Sequence, residues 1–512
     1  MRPGRTALWP FYLSVSAVLG VLMGIFISNR DTSFKKNHSY AGDGFEKLQR
    51  VLVLIKNQYV EQVNVDSLME IAINDILHRL DPHSSFIDSA HSGHIEEEIT
   101  GRYYGAGAEF TMIRDTTILL SVFPDSPAEI AGLKSGDKIL AIDGQNLFET
   151  PYRGDLQKII ALIKNSGREK VRITYQRKGR EETKTLKKDW ISMPSVSSAF
   201  YMPNGIAVIG IERFSENTYQ NFVREARKLK IDTARGLILD LRDNPGGLLI
   251  EAVRIAREFL SEGDTVVIVE DRNKSREVVR SSVNGRFRNI PLVILVNENS
   301  ASASEVLAGA IQDNARGIIA GTPTFGKGLV QEESFLPDGS RVRITTARYY
   351  TPTGRSIQSP YLPDIHDKSR VHDKTHTSKN GKTLHEGGGI HPDVALGFKQ
   401  LHNYSHSHQY YIQPGEKLFE YAVQHGELLR DYGFEKFMLQ FNPTFEEAIQ
   451  MMGISNEIAK KASKEMMEAS ILHVKASLAY MIFGPQSGRQ VIKMNDPSIQ
   501  MMADQLVSKS IP

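Results

Sequence analysis

The first hydrophobic pattern along the chain is an unbroken one. Arg2 and Arg5 precede a stretch from Leu8 to Ser28 that has no charged residue and is rich in Leu, Val, Ile and Phe, and Arg30 and Asp31 close it. About 20 apolar residues span a bilayer core, and cations on the N-terminal flank favour a cytoplasmic N-terminus. Residues 8–28 therefore read as a transmembrane anchor. A cleaved signal peptide shares the same order of regions, but no small-x-small cleavage site follows Ile27. In either reading the rest is exported, so the expected location is the inner membrane with the working part facing the periplasm.

After a polar tether over 31–42 the pattern becomes periodic. Leu48, Val51, Leu52 and Ile55, then Leu68, Ile71, Ala72 and Ile76, recur at helical spacing. They predict two amphipathic helices within a segment 43–98, the second broken by the turn residues from Leu80 to Ser85. Residues 99–188 change to short strands and turns. Tyr103–Phe110 is a glycine-spaced loop entering a strand, Ile118–Val122 is a strand, Ser126–Leu133 holds a short helix, and Gly136–Gly144 is a strand closed by an Asp-Gly turn. Between 189 and 400, strands at Ile206–Ile211, Gly236–Arg242, Thr265–Val269, Pro291–Val296 and Gly317–Gly321 alternate with helices at Asn217–Leu229, Leu248–Leu260 and Ser302–Gln312. The apolar run from Gly236 suits a strand covered on both faces, and the alternation predicts a layered α/β core. Residues 401–512 read as a helical extension. Its methionines (Met451, Met452, Met466, Met467, Met481, Met494, Met501, Met502) at helical spacing predict core or interface.

Composition narrows the chemistry. The chain has 512 residues, and 62 Lys+Arg against 60 Asp+Glu leave a net charge of +2, which does not suggest nucleic-acid binding. There is no cysteine. Disulfides, thiol nucleophiles, iron–sulfur clusters and cysteine-based zinc sites are thereby excluded, so a covalent catalyst must use oxygen or nitrogen. Small residues crowd Asn297–Glu305 at a strand-to-helix junction. A serine there is most often a helix cap, and spacing does not choose among Ser300, Ser302 and Ser304. Glu305 caps the helix or braces the junction. Gly321–Gly328 nearly matches the phosphate-binding loop, but Gly328 stands where Ser or Thr must hold magnesium, and an alternating strand follows instead of a helix. The histidines from His366 to His408 lie among Asp, Lys, Ser and Thr, and read as a hydrophilic insertion rather than a metal site.

Two sets of motifs resemble known families. The string SPAEIAGLKSGDKILAIDG (Ser126–Gly144) resembles the circularly permuted PDZ domain of bacterial proteases. That resemblance implies a groove taking peptide C-termini by strand addition, with backbone N–H groups of Tyr104, Gly105, Ala106 and Gly107 holding the carboxylate. Ala106 stands where the family has a bulky apolar residue. LDPHSSF (Leu80–Phe86), LRDNPGG (Leu241–Gly247), NSASASEVLAGAIQDNARGIIAG (Asn299–Gly321), TFGKGLVQ (Thr324–Gln331) and GGGIHPDV (Gly387–Val394) occur in the order found in the C-terminal processing peptidases of the S41 serine protease family, which residues 44 to about 397 resemble.

The patterning along the chain and the resemblance together imply a multidomain α/β protein. It has an N-terminal anchor helix (8–28), a helical segment (43–98), a PDZ-like β domain (99–188), a layered α/β protease core of the ClpP/crotonase kind (189–400) and a C-terminal helical extension (401–512). The resemblance also implies Ser302 as nucleophile, Lys327 as general base and Gln331 as the residue orienting the lysine, with backbone N–H groups of Ala303 and Gly246 as oxyanion donors. The physical logic is consistent with these roles. A lysine base must be neutral, burial lowers its pKa, and glutamine accepts a hydrogen bond without adding charge. Expected partners are protein substrates with free C-termini and the membrane, with no metal or cofactor, and oligomer or adaptor contacts through the C-terminal helices. The competing reading is an inactive PDZ scaffold, against which intact Ser302, Lys327 and Gln331 argue.

Overall fold

The computed structural model describes residues 43–149, 151–164, 168–360, 374–397, 415–455, 457 and 460–508. The expected anchor at 8–28 lies outside them, as do His366, His372, His402, His406 and His408. No described helix is long and apolar enough to cross a membrane. Residues up to Leu80 form one unit and those from Asp81 a second. The first contains the two helices the periodicity predicts, Asp43–Gln58 and Val65–His78. Asn64 starts the latter by accepting hydrogen bonds from the Asp66 and Ser67 N–H groups.

In the second unit, residues 108–187 build an antiparallel sheet in the order Ala108–Ile113, Thr116–Val122, Lys138–Ile142, Lys170–Arg177, Arg180–Lys187. Its core is Leu119, Ile139, Ile142, Ile159, Val171, Ile173 and Tyr175. The Asp-Gly turn expected at its third strand is present, with Asp143 and Gly144 both at positive φ.

The predicted α/β layers are a six-stranded sheet, Val196–Tyr201, Ile206–Ile211, Gly236–Asp240, Leu292–Val296, Ile318–Gly321, Val394–Ala395, parallel after its first antiparallel pair. Helices Thr218–Lys228, Leu249–Arg257 and Ala303–Asp313 cover one face. The strand predicted at Thr265–Val269 does not join it. Thr265–Asp271 pairs instead with Arg276–Arg280 and Arg341–Tyr350 in a second sheet, to which Leu329–Phe335 and Ser85–Ile87 also belong.

The C-terminal helices are part of this architecture rather than an appendage. Ile499, Met502 and Ala503 of Pro497–Ser508 cover the other face of the parallel sheet, against Ile206, Val208, Ile238, Val293 and Leu295. Helices from Glu416 to Phe483 pack with Ile118 and Leu120 of the antiparallel domain. Met481 and Met502 are core residues, while Met466 is exposed. The faces that carry Met481 and Met502 are filled within the chain, while Leu428 and Leu439 of the helices from Glu416 to Phe483 are exposed.

A buried charge quartet ties the extension to the sheet. Arg242 reaches both oxygens of Asp240 at 2.8 and 2.9 Å. Lys493 reaches Asp240 at 3.0 Å, and Asp496 pairs with Arg242 at 2.8 Å. The four side chains are only 3 to 7% exposed, so two cations neutralise two anions away from water. Burial alone would push the Asp240 carboxyl up, but the charges of Arg242 and Lys493 prevail and hold it well below the usual carboxylate range. Gly210 makes room for this reach, because a Cβ there would stand 2.3 Å from the Lys493 ammonium. Removing one member of a buried pair costs about 3–5 kcal/mol. Lys493→Met should therefore lower the urea midpoint by the equivalent of several kcal/mol, and an unchanged midpoint would show that the quartet does not stabilise the fold.

Candidate active site

The strand Leu292–Val296 leads through Asn297–Ala301 into the helix Ala303–Asp313, and Ser302 stands at the junction with φ +54° and ψ −113°. Positive φ in a residue with a Cβ is a strained conformation, held only where surrounding bonds impose it. Its two neighbouring serines are consumed structurally. Ser300 Oγ donates to the Leu241 carbonyl at 2.8 Å and Ser304 Oγ to the Asn244 carbonyl at 3.0 Å. Of the three serines, Ser302 is the one left as a candidate by these bonds.

Glu305 supplies the imposing bonds. Its carboxyl Oε2 accepts the Ser302 N–H at 2.8 Å and the Lys327 N–H at 2.9 Å. Oε1 accepts the Thr324 hydroxyl at 2.6 Å and the Gly326 N–H at 2.7 Å. One buried carboxyl therefore holds the segment bearing Ser302 and the segment bearing Lys327. Burial pushes its pKa up to about 7 even against those four hydrogen bonds. Tyr349 adds a second bridge. Its hydroxyl lies 2.9 Å from the Ser302 carbonyl and close to that of Lys327, and burial keeps the phenol neutral by raising its pKa. The glycine-rich run that resembled a phosphate loop is spent on Glu305 instead.

Lys327 is largely withdrawn from water. Burial lowers its pKa, as does the charge of Arg343, while Asp81 and Glu305 act in the opposite sense. Its Nζ donates to Gln331 Oε1 at 2.6 Å, and Gln331 Nε2 donates to the His83 carbonyl at 2.6 Å. The expected Lys327–Gln331 contact is therefore present. Among the described residues no hydrogen bond joins Lys327 Nζ to Ser302 Oγ.

Gly246 approaches the serine closely. A Cβ at Gly246 would lie 2.8 Å from Ser302 Cβ and 3.0 Å from the Ala303 nitrogen, and its φ is +101°, so only glycine fits. The Ala303 N–H stands in the first turn of its helix, where no intrahelical acceptor exists. The Gly246 N–H departs from expectation: it donates to Asn244 Oδ1 at 2.9 Å, closing its own turn. The buried Asn244 is held in turn by the Ile211 carbonyl.

The loop expected to hold a peptide carboxylate is partly strand. Arg102–Gly105 pairs antiparallel with Asp189–Ser192, placing Tyr104 opposite Trp190 and Gly105 opposite Asp189. Only Ala106 and Gly107 turn, and their carbonyls are bound inward by the Ala128 and Phe123 N–H groups. Ala108–Ile113, which follows, is an edge strand, the position strand addition requires. The helix Leu156–Lys164 lies near it, and Lys164 stands 5.2 Å over the Tyr103 ring.

Sequence spacing under-read Glu305, whose signal was only its place three residues after Ser302. It missed Tyr349, Asn244 and the His83 carbonyl, which reach the site from distant segments.

Residues 205–367 match the model of peptidase family S41, residues 119–177 that of a PDZ domain, and residues 26–91 that of the activating protease CtpB N-terminal domain. The chain is 30% identical over 439 residues to the carboxy-terminal processing protease CtpA of Bacillus subtilis, covering 81% of this chain and 92% of that one. It is 33% identical over 361 residues to the carboxy-terminal-processing protease of Bartonella bacilliformis, covering 69% and 80%. A solved photosystem II D1 C-terminal processing protease is similar at 28% identity over 70% of this chain and 88% of its own, with a TM-score of 0.37.

The raised Glu305 pKa has a testable sign. The native carboxyl holds its proton up to about pH 7, whereas an unfolded glutamate releases it near its ordinary value of 4.5. The native state then binds more protons between these values, so its stability should fall as pH rises through that window. Relative to Glu305→Gln, which has no such proton, wild-type unfolding free energy should decline from about pH 4.5 to about pH 7. Parallel stability curves for the two proteins would contradict the assignment.

Proposed function

The chain belongs to peptidase family S41 and is a serine-type carboxy-terminal processing protease, and on that premise we propose that Ser302 and Lys327 are its nucleophile and general base. The observation that carries this reading is the Glu305 carboxyl, whose one oxygen accepts both the Ser302 and the Lys327 N–H. A strained serine and a half-buried lysine on separate segments are held by a single group.

In this mechanism the neutral Lys327 amine takes the proton of Ser302 Oγ as that oxygen attacks a peptide carbonyl carbon. The Ala303 and Gly246 N–H groups receive the oxyanion. On collapse, the Lys327 ammonium gives its proton to the departing amine, leaving an acyl ester on Ser302. Water, deprotonated by Lys327, then attacks the ester, and Ser302 recovers its proton. Two adjustments of the present arrangement have to come first. Lys327, still donating to Gln331 Oε1, must bring its lone pair to Ser302 Oγ, and the Gly246 N–H must leave Asn244. Gln331 keeps the site free of a further negative charge, which would favour the ammonium form.

The PDZ domain recruits protein C-termini by adding them to the edge strand Ala108–Ile113, with the Tyr104–Gly107 segment at the carboxylate end. Residues 8–28 anchor the chain in the inner membrane with the catalytic part in the periplasm, where its substrates are exported proteins. Protease shaving of spheroplasts should digest the catalytic domain, whereas protection would contradict this orientation.

Ser302→Ala and Lys327→Ala should each lower cleavage of an unfolded test protein by at least about 1,000-fold, with unchanged circular dichroism and melting. Wild-type rates in either variant would refute the dyad. The Ser302→Ala protein should also retain bound substrates for identification by mass spectrometry.

A further inference from the structure

The segment Asp81–Ser84 lies far from the nucleophile in sequence, yet it reaches the base. The Asp81 carboxylate folds it into a tight turn. Its Oδ1 accepts the His83 N–H at 2.8 Å and the Ser84 N–H at 2.7 Å. Its Oδ2 accepts the Ser84 hydroxyl at 2.8 Å. The same Ser84 oxygen accepts the Thr345 N–H at 3.2 Å, and Thr345 is the register partner of Gln331 across the two strands. Ser85–Ile87 then continues as a strand paired with Arg341–Arg343. The turn is thus stitched to the sheet that bears Gln331, through the residue paired with it.

What the turn delivers is the His83 carbonyl, which accepts Gln331 Nε2 at 2.6 Å. A primary amide has one donor end and one acceptor end. With the donor end committed to His83, the acceptor end must face Lys327 Nζ, as it does at 2.6 Å. If the amide were reversed, its NH₂ group would point at the amine. The lysine lone pair would then be drawn to that donor and away from the serine proton.

We propose that the Asp81–Ser84 turn is a positioning element of the active site: through the His83 carbonyl it sets the orientation of the Gln331 amide and so the direction in which Lys327 presents its lone pair. This rests on the reading of Lys327 as general base. Asp81 is the positioning residue and does not touch substrate.

The test compares Asp81→Ala, Asp81→Asn, Lys327→Ala and wild type in full-length protein, measuring kcat, KM, melting temperature and the pH profile of kcat/KM. Asparagine keeps an oxygen for the two turn N–H groups, whereas alanine keeps none. Asp81→Ala should lower kcat by about 30-fold or more, with KM within about threefold, since misplacing a reacting group by about 1 Å costs on the order of 100-fold. Asp81→Asn should recover kcat to within about fivefold of wild type. The groups acting on Lys327 are Arg343, Asp81, Glu305 and His83. Of these, Asp81 favours the ammonium, so the acid limb of the asparagine variant should move to lower pH.

Wild-type kcat in Asp81→Ala would overturn the proposal. So would equal loss in the alanine and asparagine variants, which would make the carboxylate's charge rather than the turn decisive. A lowered melting temperature with unchanged kcat per folded molecule would also overturn it. If Asp81→Ala does not fold, Ser84→Ala, which cuts the tie to Thr345, should lower kcat in the same direction, and unchanged kcat there would refute the proposal. Retained activity in Lys327→Ala would instead sink the dyad itself, an outcome separable from all of these.

Discussion

A single buried carboxyl organises the site. Glu305 lies at the start of a fully buried helix and gathers donors from the residue before that helix and from the glycine-rich segment leading to Lys327. A buried carboxyl without partners would be costly, and four donors offset that cost only if all of them converge. That requirement brings two segments 25 residues apart into one geometry. The strained backbone of Ser302 follows from it, and the Asn244 carbonyl, accepting the Ala301 N–H and the Ser304 hydroxyl, brings Gly246 close. Tyr349 then spans the Ser302 and Lys327 carbonyls behind the same junction.

The two sheets divide the work. The parallel sheet carries Ser302 and the Asp243–Gly247 turn at the C-terminal ends of its strands, where chains leave a sheet and side chains become accessible. The sheet built around Arg341–Tyr350 carries Gln331 and receives the Asp81–Ser84 turn. The C-terminal helices complete the parallel sheet from its other face, and Lys493 and Asp496 neutralise the charges on Asp240 and Arg242. Those two residues immediately precede the turn that brings Gly246 to Ser302, so Lys493 and Asp496 support the site from behind.

Local patterns were legible in the sequence, and long-range convergence was not. The Asp143-Gly144 turn, the two N-terminal amphipathic helices and the apolar strand at Gly236–Asp240 depend on neighbours within a few residues, and all are present. The Lys327–Gln331 contact was implied by the family resemblance rather than by any pattern of the residues themselves, and it is present. By contrast, Asn244 is held by the Ile211 carbonyl, 33 residues earlier, and Tyr104 joins a strand because Trp190 lies opposite it. Met481 and Met502 could not be sorted between core and interface until their partners, on strands hundreds of residues earlier, were in place. Glu305 looked like a cap because, to the Ser302 N–H, it is one. Its other three donors come from Thr324, Gly326 and Lys327, beyond the reach of any local rule.

If Lys327 activates Ser302 and no other serine, as proposed, covalent labelling will read it out. Full-length protein treated with a fluorophosphonate and mapped by peptide mass spectrometry should carry the phosphonyl group on Ser302. The labelling rate should rise with pH to a plateau below the ordinary lysine range and should vanish in Lys327→Ala. Labelling of Ser300 or Ser304, or a Ser302 rate indifferent to the loss of Lys327, would contradict it.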